Sequence, residues 1–119
     1  MTLVDTSVWI HHFRKGNAVL RALLEEGLVA LHPMILGELA CGSLPNRFET
    51  LFNLEQLACV RQAPDDIVLQ AIESQRWFAT GIGWVDAHVL VASRVENVAL
   101  WTLDKKLQDL AQRGRSPSG

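Results

Sequence analysis

Four short apolar runs, separated by segments of helical period, constrain this 119-residue chain more than any other feature. They are Thr2–Val4, Leu28–Leu31, Leu57–Val60 and Val98–Trp101. No tight hairpin signal joins one run to the next. Short apolar strands with helices between them predict an α/β domain, a parallel sheet flanked by helices. In such sheets ligands bind at the carboxyl ends of the strands.

The segments between the runs carry helix signals. Asp5-Thr6-Ser7 offers N-cap groups for a helix through Trp9 and Phe13. From Asn17, a second cap candidate, Val19, Leu20, Leu23 and Leu24 repeat at helical spacing and end near Gly27. Pro33 suits a first helical position, with that helix running to about Ser43 before Pro45 breaks it. Phe48, Leu51, Phe52 and Leu54 mark another amphipathic stretch, and core packing is the default expectation for its apolar face and for the tryptophans. Pro64-Asp65-Asp66 opens a long helix through Ile67, Ala71, Ile72 and Trp77, stopping by Gly81. Trp84–Glu96 is apolar almost all round, and Asp104 caps a last helix with Leu107, Leu110 and Ala111. One domain is expected over residues 1–113, with a disordered Ser/Pro/Gly tail over 114–119.

Hydrophobic residues make up 49% and charged residues 20%, enough for one core and too few charges for a disordered chain. No basic segment precedes Asp5, and Glu38, Asp86 and Arg94 break the longest apolar runs. A secretory signal and a span of roughly 20 apolar residues are therefore not expected. Cys41 and Cys59 share no metal-type spacing and sit in apolar surroundings. They read as small buried hydrophobes in a cytoplasmic protein.

The carboxylates are less ordinary. On a helix, Glu38 neighbours Met34, Ile35, Cys41 and Gly42, none of them charged. Asp86 neighbours Val89 and Leu90. A buried carboxylate is costly unless it is protonated, paired or bound to metal. Asp5 and Asp104 each follow a strand and begin a helix, so each also suits a cap. Four such groups in one pocket would repel. Two unit charges about 4 Å apart cost roughly 4 kcal/mol at an effective dielectric near 20. A divalent cation removes that cost, and all-oxygen ligands suit Mg²⁺ or Mn²⁺ and not Zn²⁺. The net charge of −2 does not exclude a nucleic acid. Setting four metal-held carboxylates aside from the 13 acidic residues leaves nine against 11 basic ones.

Asp5-Thr6-Ser7-Val8-Trp9-Ile10 after a short strand resembles the opening of a PIN domain. Glu38 in a helix, Asp86 within Trp84-Val85-Asp86-Ala87-His88, and Thr102-Leu103-Asp104 follow in that family's order. The likeness covers residues 2 to about 113, and the subgroup it resembles is the VapC-type toxin of toxin–antitoxin operons. The resemblance implies a three-layer PIN sandwich and Mg²⁺- or Mn²⁺-dependent endonucleolytic cleavage of RNA, often tRNA or ribosomal RNA. It also implies a cognate antitoxin as partner, and a homodimer. Members often add a fifth edge strand after the last helix. Here the chain passes from Gln112 and Arg113 into Gly114 and the tail, so about four strands are expected and the fifth is expected to be missing.

Asp5, Asp86 and Asp104 are the expected metal ligands, with Glu38 completing the shell or orienting the attacking water. Thr6, Ser7 and Thr102 are candidates to orient the carboxylates, though simple cap and turn hydroxyls explain them equally well. Arg14, Lys15, Lys105 and Lys106 could meet phosphate. None of His11, His12, His32 and His88 is expected to be catalytic. Two other classes compete. An Asp-based phosphatase or phosphotransferase wants a second acid two residues after the first, where Ser7 stands. A silent PIN-like binding module would show missing carboxylates, and all four are present.

Overall fold

A computed structural model of the protein describes residues 1–113. The expected disordered tail lies outside the described residues. The elements are β1 (Thr2–Val4), α1 (Thr6–Lys15), α2 (Ala18–Glu25), β2 (Val29–Leu31), α3 (Pro33–Cys41) and α4 (Arg47–Glu55). They continue with β3 (Ala58–Cys59), α5 (Asp65–Ser74), α6 (Trp84–Val95), β4 (Ala99–Trp101) and α7 (Lys105–Arg113). The four strands form one sheet in the order β3-β2-β1-β4, and every pairing is parallel. The α/β class with a four-stranded parallel sheet holds.

Parallel neighbours need crossovers, and the helices supply them. β1 lies at the centre, registered Thr2 with Val29 on one side and with Ala99 on the other. Its Leu3 and Val4 are fully buried. Two hydrophobic clusters form around the sheet. One joins Leu3, Val8, Trp9, Leu20, Leu31, Ile35 and Leu54. The other joins Val68, Trp77, Leu90, Leu107 and Leu110. α6 serves both, giving Val89 and Ala92 to the first and Ala87, Leu90 and Val91 to the second. That is why its sequence is apolar almost all round.

Helix ends follow local chemistry, with one surprise. Asn17 accepts the Leu20 N–H on its side-chain oxygen at 3.0 Å, as a cap should. α2 closes at Gly27 with φ +69° and paired bonds from Leu28 N–H to Leu23 and from Gly27 N–H to Leu24. The same closure recurs at Asn97. It recurs again at Arg76, φ +56°, where Trp77 N–H reaches Ile72. So α5 ends at Ser74, and Trp77 packs from outside it. The sequence predicts this helix on toward Gly81, because arginine is no usual signal for a left-handed cap.

Burial needs three further corrections. Cys41 and Cys59 are both free and exposed, one at the end of α3 and one on the short edge strand β3. Phe48 and Phe52 are 87% and 56% exposed, because α4 turns only Leu54 fully inward. Trp84 is 40% exposed at the start of α6, while Trp9 and Trp77 are buried.

Candidate active site

All four strands point the same way, so the residues that leave them collect at one edge of the sheet. Asp5 leaves β1 and is buried at 6% exposure. Its backbone carbonyl accepts from the N–H groups of Val8 and Trp9 and starts α1, but its side chain makes no capping bond. Instead Oδ2 accepts from the hydroxyls of Ser7 and Thr102, both at 2.8 Å. Thr102 also accepts the Asp104 N–H at 3.0 Å, and Ser7 accepts the Leu103 N–H at 3.0 Å. These bonds tie the turn after β4 to the turn after β1.

The other acids arrive on helices. Asp104 caps α7, with Oδ1 accepting from Lys106 and Leu107 N–H at 2.9 and 3.1 Å. Asp86 sits in the first turn of α6 and reaches back to the Gly83 N–H at 3.0 Å through Oδ2. Glu38 lies within α3, and its Oε1 accepts from Thr6 Oγ1 at 2.7 Å. The sequence placed Glu38 in an apolar setting. It is exposed, because α3 leaves Gly37, Glu38, Cys41 and Gly42 uncovered as one open face.

A common pattern emerges. Each of the four carboxylates is held through one oxygen, and among the described residues no protein donor reaches the other. Among the described residues no ion pair engages them either. Asp86 is pushed above its ordinary pKa first by burial, then by the charges of Asp5, Asp104 and Glu38, against the opposing Gly83 hydrogen bond. Among the described residues, no three Asp, Glu, His or Cys side chains are arranged as they stand to hold one metal ion. The donor chemistry fits a hard divalent cation all the same. It offers carboxylate oxygens only, each with a free lone-pair side, in a cluster whose mutual repulsion a cation would relieve.

The hydroxyls flagged in the sequence, Thr6, Ser7 and Thr102, each donate to one of the acids. Among the basic residues, Lys105 and Lys106 open α7 beside Asp104. Arg14 and Lys15 end α1, the far end of a ten-residue helix whose start borders the site, about 12 Å along its axis. The Gly83 N–H that fixes Asp86 is not evident from the sequence. Its only signal was the glycine standing at the N-cap of an apolar helix. His32 and His88 are fully buried with ring centroids 6.2 Å apart.

This parallel sheet with acids gathered at its carboxyl edge is the arrangement expected of a PIN domain, and the PIN domain family matches residues 2–113. The chain belongs to that family. It is 40% identical over 112 residues to Ribonuclease VapC32 of Mycobacterium tuberculosis, in strains CDC 1551 / Oshkosh and ATCC 25618 / H37Rv. The alignment covers 91% of this chain and 88% of that protein. The VapC-type resemblance drawn from the motifs is thereby borne out. Its fold is also similar to the crystal structure of PAE2754 from Pyrobaculum aerophilum, with TM-score 0.66 and 15% identity, over 92% of this chain and 83% of the other.

Proposed function

We propose that this protein is the endoribonuclease toxin of a toxin–antitoxin pair, hydrolysing RNA phosphodiester bonds at the edge formed by Asp5, Glu38, Asp86 and Asp104. One observation carries the reading. The charges of Asp5, Asp104 and Glu38 act on Asp86, and each of the four carboxylates is anchored through one oxygen while, among the described residues, no protein donor reaches the other. The family likeness and the ribonuclease relatives support it. Nucleases of this kind depend in general on a divalent metal.

Asp5, Asp86 and Asp104 would hold Mg²⁺ or Mn²⁺, with Glu38 as a further ligand or as the base that orients the attacking water. When bound, the ion lowers the pKa of a water and neutralises charge on the phosphate. Ser7 and Thr102 fix the Asp5 carboxylate, and Thr6 fixes Glu38, so the acids keep their orientation. Lys105 and Lys106, and more distantly Arg14, would meet the RNA backbone. A cognate antitoxin would silence the enzyme, which would act as a homodimer in the cytoplasm. No helix among the described residues is long and apolar enough to cross a membrane.

The test is cleavage of a labelled total-RNA pool by the purified protein. Discrete fragments are expected with Mg²⁺ or Mn²⁺ and none with EDTA. No fragments with either ion, together with no metal binding by calorimetry, would move the protein to the binding-module class. The hydroxyl network gives a second measurement. Thr102→Val removes a group that both donates to Asp5 and accepts from Asp104. We expect about a 10–100-fold loss in Mn²⁺ affinity or activity and about 1–3 kcal/mol of stability. Wild-type Mn²⁺ titration and melting curves from the variant would contradict this.

A further inference from the structure

We propose that Trp84 and Lys106, on either side of the Gly81–Gly83 turn, form a nucleotide subsite beside the carboxylates. The indole stacks on an RNA base and the ammonium takes a backbone phosphate. The proposal rests on the RNA-cleaving reading above and names how the strand is held.

Trp84 is the first residue of α6, two positions before Asp86, so it stands in the same first turn but on another face, the one it shares with His88. At 40% exposure it presents a large apolar surface at the helix end that also carries Asp86. It is not a loose surface ring. Its indole meets the His88 ring edge-on, with centroids 4.5 Å apart and planes at 89°. His88 lies one turn along the same helix, is fully buried, and has Nε2 3.1 Å from Asp65 Oδ1. The indole is thus oriented before any ligand arrives, which lowers the ordering cost of stacking.

Lys106 comes from the first turn of α7, yet it lies against the turn that leads into α6. A Cβ at Gly81 would stand 2.7 Å from Lys106 Cδ and 2.9 Å from its Nζ. Gly81 also has φ +94°, a conformation that other residues rarely adopt. The missing side chain makes room for the lysine. No carboxylate lies within ion-pair distance of its ammonium among the described residues. A fixed aromatic face and an unpaired cation therefore border the same short turn.

That pairing fits RNA in particular. A phosphate strand approaching four carboxylates is repelled, and a cation beside them offsets this. Single-stranded nucleic acids are held by aromatic platforms together with backbone cations, and stacking tolerates any base. An apolar peptide would use Trp84 but would leave Lys106 without a partner.

The test is steady-state cleavage of a labelled oligoribonucleotide that spans a site cut in the total-RNA assay. Trp84→Ala should raise KM about tenfold with kcat within about threefold of wild type, and Trp84→Phe should recover most of the loss. An abasic nucleotide at the stacked position should raise the wild-type KM similarly and leave Trp84→Ala unaffected. Lys106→Ala should reduce the salt dependence of KM by about one charge. An unchanged KM in Trp84→Ala with wild-type cleavage intact overturns the subsite alone. An unchanged KM with lost affinity for the cognate antitoxin also overturns it and assigns Trp84 to a protein interface. If wild-type protein cuts no RNA, the enzyme reading falls and the subsite falls with it.

Discussion

Asp5→Asn is expected to cut RNA cleavage by about a thousandfold or more while leaving the fold intact. Charge stabilisation by a bound metal contributes several kcal/mol to such reactions. At 1.36 kcal/mol per decade, about 4 kcal/mol corresponds to that factor. Asp5 is the most buried of the four acids, and its Oδ2 is already occupied by Ser7 and Thr102. An amide oxygen can still accept from those hydroxyls, so the stitching between the two turns survives. What disappears is one negative charge in a cluster whose members already raise the pKa of Asp86. In metal-free buffer, the melting temperature of Asp5→Asn should therefore equal or exceed that of wild type. Full activity in a folded Asp5→Asn protein would remove Asp5 from the metal-binding role. A collapsed melting temperature would mean that the residue serves structure first.

The second large effect concerns pH. His32 follows β2, is fully buried, and caps α3 by accepting the Met34 N–H on Nδ1 at 3.0 Å. That bond assigns the neutral ring its proton on Nε2, which finds no acceptor. Protonation would turn Nδ1 into a donor facing another donor and place a charge in the core. Burial, and then the neighbouring His88, lower His32 from 6.5 to about 4. The folded value is below the unfolded one, so between them the unfolded chain binds more protons and stability rises with pH. The contribution is fully present above about pH 6.5 and fades as pH falls toward 4. A shift of this size is worth about 3 kcal/mol in all, of which about 2 kcal/mol is lost by pH 5. His32→Asn keeps a capping acceptor without a titrating ring. Urea denaturation at pH 7 and pH 5 should show wild type losing about 2 kcal/mol more than the variant. Equal losses would show that His32 accepts its proton in the folded state without penalty.

Legibility from the sequence differed by element. Asn17, Pro33 and Gly27 act through their own backbone neighbours, and each marked a helix boundary correctly. The end of α5 was missed because Arg76 takes a left-handed conformation that its residue type does not advertise. Exposure was misread where it depends on what packs opposite. Phe48, Phe52, Cys41 and Cys59 are apolar in sequence, but no element covers them in the described chain. The carboxylates stand out in the sequence by their placement, although Glu38 is exposed and not set among apolar neighbours, and the other three have local explanations in caps, turns and neighbouring hydroxyls.

The sequence by itself determined the alternation of short strands and helices, and with it a parallel sheet whose carboxyl edge collects Asp5 and Asp104. It determined this because strand length, helix caps and apolar period act over a few neighbouring residues. Only the tertiary structure decided that Thr102 donates to Asp5 across 97 positions of chain, that Thr6 reaches Glu38 across 32, and that Lys106 rests on Gly81. Those pairings depend on which helix returns against which strand, and no local pattern carries that information.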